Sequence, residues 1–310
     1  MISTKHAYMI RSMLYIALLG FYGSACSQDL VIVALGDSTT NSRNVGADES
    51  GRPAGAVTSE GLNSTDEDNT PHNVVNTVNG NTGDLYVYSD RLRDELPGLG
   101  INPQWVDNEG IGGNRADQAD SRLNNDVLAK NPDIVIVQFG INDARFNRGS
   151  SGPSKLALNE AEQYGPDGVL GGGDDHPNAA WGNYIDHMNN VVDALLAEGI
   201  KIVLMTPNKI LDTHENFSSA RTDLYAQAIR DIAAAKGTEL IDIAQHFEDY
   251  GEINGGYDNL LLDALHPNGD GHALVADLLS EKIKEIALHE DGGNDSEEEG
   301  KSPPVESVGE

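Results

Sequence analysis

Three short apolar runs, separated by longer stretches with a helical pattern, most constrain how this chain can fold. Residues 30–35 read Leu-Val-Ile-Val-Ala-Leu, and residues 134–139 and 200–205 are similarly rich in Val and Ile. Runs of this length are typical of strands that are buried on both faces. A shorter run at 239–243 is the last strand candidate. The intervening segments predict helices at 85–96, 116–128, 180–198, 218–235 and 271–288.

Strands that alternate with helices in this way predict an α/β fold, in which a parallel sheet is covered by helices on both sides. Ligands of such folds bind at the carboxyl ends of the strands. Ser38 follows the first apolar run by three residues, and Asn142 follows the run at 134–139 by three. We therefore expect these two residues to be neighbours in space although they are far apart in sequence.

Four short motifs follow one another along the chain. They read GDST at 36–39, GIGGNR at 110–115, GIND at 140–143 and DALHP at 263–267. In this order they resemble the SGNH (GDSL-type) hydrolase family over about residues 30–288. The resemblance implies a flavodoxin-like three-layer α/β/α sandwich and a serine ester hydrolase. The first motif has Thr where the family's other name has Leu, a departure that touches no catalytic atom.

The predicted nucleophile is Ser38, whose hydroxyl must pass its proton to a base as it attacks. His266 is the candidate base, because Asp263 lies three residues before it and Pro267 follows it. One short loop can then present both the base and the carboxylate that orients it. The resemblance assigns the same roles to these residues. A Gly-x-Ser-x-Gly elbow is absent, which disfavours an ordinary α/β-hydrolase.

Attack on an ester develops negative charge on the carbonyl oxygen, which needs donors already aimed at it. The resemblance assigns this oxyanion hole to the backbone N–H of Ser38, the backbone N–H of a glycine in the second motif and the side-chain amide of Asn142. By position we choose Gly113, with Gly112 as the close competitor.

Each motif residue also has an ordinary structural interpretation. Ser38 can cap a helix, Gly112 and Gly113 can form a positive-φ turn, Asn142 can close an Asx turn and Asp263 can cap a turn. It is the joint occurrence of these residues, in one order and at expected strand ends, that favours catalysis.

The first 25 residues predict an export signal. They carry Lys5 and Arg11 ahead of an apolar run at 13–21 that is too short for a membrane-spanning helix, and they contain no acidic residue. Cys26, the only cysteine, follows Gly-Ser-Ala and resembles the processing site of a bacterial lipoprotein. Two alternatives stay open, a lipid on Cys26 or ordinary cleavage that leaves a free thiol. The expected location is periplasmic, cell-surface or extracellular.

The charge balance limits the partners. The chain has 20 Lys and Arg against 50 Asp and Glu, a formal net charge of −30. Long-range attraction to nucleic acid or to an anionic membrane is therefore excluded, and membrane attachment is expected only through a lipid on Cys26. An anionic substrate would be repelled unless a local cation intervened. The stretch at 289–310 has eight acidic residues and one lysine, and predicts a disordered tail.

The hydrolase domain is expected to span 26–288, with insertions at about 41–83 and 145–179 that build the substrate rim. Its acidic clusters, Asp66-Glu67-Asp68 and Asp167 with Asp174-Asp175, have calcium-type ligands without EF-hand spacing. A solvated acidic loop is the alternative for both. The histidines show no zinc-binding spacing, and the predicted mechanism needs no metal and no cofactor.

The sequence thus predicts a secreted serine ester hydrolase that works through an acyl-enzyme. Its polar, aromatic-poor loops favour short acyl groups, such as acetyl on carbohydrate, over long chains. A broad arylesterase, a lysophospholipase or a thioesterase of the same fold remains an alternative, as does an acyltransferase. A non-catalytic carbohydrate-binding surface module is the alternative of another class.

Overall fold

A five-stranded parallel sheet forms the centre of the computed structural model, which describes residues 29–41, 75–78, 81–84, 87–145, 155–214 and 216–291. The export signal, Cys26, the cluster at 66–68 and the tail after 291 lie outside these described residues. The strand order is β4-β1-β5-β6-β7. The five strands are β1 (Asp29–Gly36), β4 (Asn102–Gly110), β5 (Ile134–Gln138), β6 (Lys201–Met205) and β7 (Glu239–Ile241). β2 (Val75–Val78) and β3 (Asn81–Asp84) form a separate antiparallel pair.

Seven α-helices lie in the described part of the chain, and the six longer ones cover both faces of the sheet. One apolar cluster joins α2, α4 and α5 to Val33, Leu35, Val135 and Val137. A second joins α1, α6 and α7 to the alternate residues of the same strands, because successive strand side chains point to opposite faces. The predicted three-layer α/β/α fold is confirmed. The helices are α1 (Tyr88–Glu95), α2 (Ala116–Asp126), α3 (Glu160–Gln163), α4 (Tyr184–Ala197), α5 (Ser219–Lys236), α6 (Ile243–Asn254) and α7 (Gly269–Asp291).

Among the elements that build the three layers, β4 and α6 were not expected from the sequence. The edge strand β4 has no apolar run, because exposed positions interrupt its first half and two of the three consecutive buried residues that follow, Asp107 and Asn108, are polar. The predicted last strand, 239–243, ends at Ile241, and α6 begins two residues later with Asp242 as its N-cap. The last helix continues to Asp291, three residues into the stretch that predicted a disordered tail. None of the described helices combines the length and the apolar composition needed to cross a bilayer.

The strand register brings the motifs to one edge of the sheet. Gly36, the last residue of β1, pairs with Gly110 of β4 and with Gln138 of β5. Along the chain, β4 comes after β1 and pairs with one side of it, whereas β5 comes next and pairs with the other side of β1. The direction of the strand order therefore reverses at β1. Residues that follow β1, β4 and β5 therefore meet at the crevice where such folds bind ligands.

Glycine is required at two of these strand ends because the turn at 37–41 folds back onto them. A Cβ at Gly36 would lie 1.9 Å from Thr40 Oγ1, and a Cβ at Gly110 would lie 2.5 Å from the backbone nitrogen of Asn41. Both contacts are too short for any side chain. The two glycines thus let the turn that carries Ser38 pack directly on the sheet edge.

Candidate active site

Ser38 lies in a tight turn that directly follows β1. The backbone N–H groups of Thr40 and Asn41 donate to the carbonyl of Asp37, at 3.2 and 3.0 Å. The Asp37 carboxylate accepts from the backbone and hydroxyl of Thr39, both at 2.8 Å. Asp37 therefore caps the turn, and the hydroxyl of Ser38 takes no capping role: it lies 3.0 Å from the His266 ring.

The β4 residue Asn108 holds this turn from the neighbouring strand. Its side-chain amide donates to the carbonyl of Thr40 at 2.9 Å and to Ser89 Oγ at 2.8 Å. The side-chain oxygen of Asn108 accepts from the backbone of Gly110 at 2.9 Å. Asn108 is buried, so these bonds replace its lost contacts with water. Sequence reasoning gave this residue no role, because it lies in the strand that was not expected.

His266 and Asp263 lie together on the loop before α7. Nδ1 of His266 is 2.8 Å from Asp263 Oδ2, and Nε2 is 3.0 Å from Ser38 Oγ. The other carboxylate oxygen of Asp263 accepts the backbone N–H groups of Leu265 and His266, at 2.7 and 2.8 Å. The loop is closed by the Leu262 N–H, which donates to the His266 carbonyl at 2.8 Å. The hydroxyl, imidazole and carboxylate that the sequence analysis selected thus form one continuous chain of hydrogen bonds.

The ionised form of Asp263 is favoured in this setting. Burial raises the pKa of the carboxyl group, but the hydrogen bonds and charge of the His266 ring and the two backbone donors outweigh burial and lower the pKa to about 2. The carboxylate can therefore accept from Nδ1 and leave Nε2 to face the serine.

Asn142 reaches the same site from the end of β5. Its Nδ2 atom lies 3.2 Å from Asp37 Oδ2 and 3.1 Å from the carbonyl oxygen of Asn114. These contacts tie the amide to the Ser38 turn on one side and to the glycine motif after β4 on the other. The two segments that β1 and β4 deliver thus meet at the Asn142 side chain.

The glycine motif forms an exposed turn after β4. Gly113 has a φ of +79° with open space around its Cβ position, and the Asn114 N–H donates to the Ile111 carbonyl at 3.1 Å. The positive-φ interpretation of Gly113 is therefore correct as local structure. Among the described residues, the amides of Gly112 and Gly113 donate no hydrogen bond, so either can face a ligand, and Gly113 remains our choice by position.

Two carboxyl groups lie buried behind the site. Asp143 has no solvent exposure, accepts from the backbone N–H of Ala116 at 2.9 Å, and leaves its Oδ2 without a partner among the described residues. Burial raises the pKa of Asp143 to about 7, and the charge of nearby Asp37 adds to the rise. Burial also raises the pKa of Asp37. Asp143 links the loop after β5 to the first turn of α2, and so supports Asn142 beside it.

A second histidine–aspartate pair lacks a nucleophile. His187 Nδ1 lies 2.8 Å from Asp120, but its Nε2 lies 2.8 Å from the carbonyl oxygen of Trp181, which has no proton to give. His272, on α7, is fully buried with both ring nitrogens unpartnered among the described residues. Only the His266 pair presents its free nitrogen to a hydroxyl in the described part of the chain.

Other features lie away from this chemistry. Asp167, Asp174 and Asp175 bring carboxylate oxygens within 4.8 Å of one another, and backbone N–H groups of the same loop satisfy several of them. A cavity of about 490 Å³ lies at the amino-terminal edge of the sheet, lined among others by Lys201 and Glu239, the first residues of β6 and β7. It is at the edge opposite Ser38, and we assign it no role in catalysis.

Comparisons with known proteins agree with this geometry. A model of the GDSL-like lipase/acylhydrolase family matches residues 34–274. A lipase/acylhydrolase from Enterococcus faecalis superposes with a TM-score of 0.54 at 20% identity, over 82% of this chain and 95% of its own. A variant of an acetyl-xylooligosaccharide esterase from Geobacillus stearothermophilus gives 0.50 at 22% identity, over 82% and 94%. At these identities the two structures support the fold alone. The comparison with curated proteins found no match.

Proposed function

Because the chain belongs to the GDSL-like lipase/acylhydrolase family, and so hydrolyses carboxylic esters, we propose that its substrates are short acyl esters of carbohydrates, above all acetyl esters. The observation that carries the catalytic part is the alignment of Ser38 Oγ, His266 and Asp263, with contacts of 3.0 and 2.8 Å. The surroundings of that alignment support the sugar and the short acyl group.

In the proposed reaction, His266 Nε2 takes the proton of Ser38 as the serine oxygen bonds to the acyl carbon. The tetrahedral intermediate collapses when the bond to the sugar oxygen breaks, and His266 gives its proton to that leaving oxygen. Water then attacks the acyl-serine with His266 again as base, and the acid is released. Asp263 keeps the ring oriented and stabilises its protonated form.

The oxyanion is held by the backbone N–H groups of Ser38 and Gly113 and by the amide of Asn142. The two contacts of Asn142 Nδ2, at 3.1 and 3.2 Å, lie at the long end of the usual range for N–H···O hydrogen bonds. One N–H of this amide can therefore serve the Asp37 carboxylate and the Asn114 carbonyl, while the other turns to the oxyanion. Charge that develops there is stabilised by donors already in position.

Two features beside the site support a short acyl group on a sugar. The side chain of Trp181 is 41% exposed, and the guanidinium of Arg115 lies 4.8 Å from the centroid of its ring. An exposed indole beside the glycine motif can pack against the apolar face of a sugar ring. The apolar cluster next to Asn142 is almost wholly buried and exposes little apolar surface to a long acyl chain: its members are Ile141, Ile210 and Phe217. The Geobacillus structure is that of an acetyl-xylooligosaccharide esterase, which agrees with such a substrate.

The proposed location is outside the cytoplasm, with residues 1–25 removed and Cys26 as a candidate lipid attachment site. Mass spectrometry of the mature protein from its native host tests this. A start after residue 25 supports export, a lipid mass on Cys26 supports anchoring, and an intact Met1 would overturn both.

The replacement Ser38→Ala tests the catalytic assignment. We expect kcat for acetate release from acetylated xylo-oligosaccharides to fall by at least about ten thousand-fold, because the nucleophile is lost. Ser121→Ala is the matched control, since Ser121 is exposed on α2 and bonds only to the Gln118 carbonyl among the described residues. Near-normal turnover by a folded Ser38→Ala protein would refute the assignment. A preference for decanoyl over acetyl esters of p-nitrophenol would refute the short-acyl part.

A further inference from the structure

Arg145 differs from the other arginines of the described chain. It closes the turn after β5, where its backbone N–H donates to the Asn142 carbonyl at 3.3 Å. Its guanidinium lies 5.6 Å from the centroid of the Phe217 ring and contacts no carboxylate or carbonyl oxygen of the described residues. Each of the others donates to such an oxygen: Arg91, Arg93, Arg115, Arg122, Arg221 and Arg230.

The ring beneath the guanidinium belongs to an apolar cluster that borders the candidate active site. Phe217 packs with Ile141 and Ile210, and Leu265 packs against them. Ile141 directly precedes Asn142 and Leu265 directly precedes His266. The ring beneath Arg145 is therefore part of the cluster that supports both the proposed oxyanion donor and the proposed base.

An unpaired arginine is unusual in a protein of this charge. The chain has 50 acidic residues for 20 basic ones, so carboxylates are abundant as partners. Stacking on an aromatic ring uses the flat face of the guanidinium and leaves the N–H donors at its edge free. Those donors form a planar fork that matches a carboxylate with two parallel hydrogen bonds.

We propose that Arg145 binds a carboxylate of the substrate, so that the preferred substrates are acyl esters of acidic sugars such as uronic acids. This inference rests on the proposed function and adds the charge of the sugar to it. With a net charge of −30, the protein repels anions at long range, and a local cation is what an anionic substrate needs at the site. A doubly charged phosphate would be repelled more strongly than a singly charged carboxylate.

The test compares two probes, the methyl glycosides of glucose and of glucuronic acid, each with one acetyl group on the same hydroxyl. We expect wild-type kcat/KM to be higher for the glucuronide. Arg145→Gln should lower the ratio of the two kcat/KM values by about tenfold to a hundredfold, mainly through KM for the glucuronide, because a charge-assisted pair of hydrogen bonds is lost. Arg145→Lys should restore part of the ratio, since it keeps the charge and loses the fork.

The matched control is Lys236→Gln, which removes the same unit charge at the C-terminal end of α5, where Lys236 pairs with Asp193. It should leave the ratio unchanged, so a general field effect is separated from local binding. A wild-type preference for the glucoside, or an unchanged ratio in Arg145→Gln, would overturn the inference while leaving sugar deacetylation intact. Failure of the wild type on both glycosides would overturn the proposed function and the inference with it.

Discussion

Asp263 uses its two oxygens for different tasks, which explains why two interpretations of one residue both hold. Oδ1 caps the local turn by accepting two backbone N–H groups, and Oδ2 binds the His266 ring. The capping bonds fix the carboxylate, so the ring that it holds is fixed as well. The hydrogen bonds that form the turn therefore also orient the candidate base.

Asn142 is the proposed oxyanion donor that is easiest to test, because its donor is a side chain. Asn142→Ala should lower kcat for p-nitrophenyl acetate by about a hundredfold to a thousandfold with a smaller change in KM, since this donor acts mainly on the transition state. Asn190→Ala is the matched control, because the Asn190 side-chain amide donates to Asp120 and so joins helix α4 to helix α2. A loss confined to KM would show that Asn142 binds the ground state instead.

Helix α7 carries a buried histidine, His272, that is not part of the candidate active site. His272 has no solvent exposure, lies 6.2 Å from the Tyr88 ring between centroids, and burial lowers its pKa to about 3. Because an unfolded chain protonates this histidine near pH 6.5 and the folded protein does not, the group costs stability as the pH falls from about 6.5 toward 3.

We therefore expect His272→Leu to raise the free energy of unfolding at pH 5 more than at pH 7.5. In the wild type, this histidine lowers the free energy of unfolding by up to about 1.4 kcal/mol for each pH unit of acidification in that window. Leucine also removes two buried nitrogens that have no partner among the described residues. Urea unfolding of both proteins at the two pH values measures the difference. An equal effect at both would show that His272 does not carry this part of the acid sensitivity.

In the molecule as a whole, repulsion among the excess negative charges opposes the stabilisation that the ion pairs provide. Surface salt bridges contribute about 0 to 1 kcal/mol each and are weakened by salt. The formal charge of −30, in contrast, acts on every acidic residue by repulsion, and salt screens it.

We predict that the Tm rises by several degrees between about 0.02 and 0.3 M NaCl at pH 7, because repulsion is screened more than attraction is lost. Calorimetry in NaCl, with an uncharged osmolyte at matched osmolality as the control and a chelator present throughout, measures this. A Tm that falls with salt would mean that the ion pairs dominate.

The sequence alone was enough to predict the layered α/β fold and to select the candidate site residues that the structure brings together. A strand that is buried on both faces needs an unbroken apolar run, which is recognisable locally in residues 30–35. Each catalytic role needs a particular side chain, which is recognisable in a short motif such as that around Ser38. β4 was not predicted because this edge strand has polar residues at positions where a central strand has apolar ones. One of these is Asn108, whose side chain holds the Ser38 turn.

The distances and contacts between the selected groups became known only from the tertiary structure. Ser38 and His266 are 228 positions apart, and their 3.0 Å contact depends on strand register and on how the loop before α7 packs. The same holds for the tie between Asn142 and Asp37 and for the guanidinium of Arg145, which has a ring beneath it and no carboxylate of the described chain beside it. Such distances follow from the packing of distant segments, and no local pattern of residues encodes them.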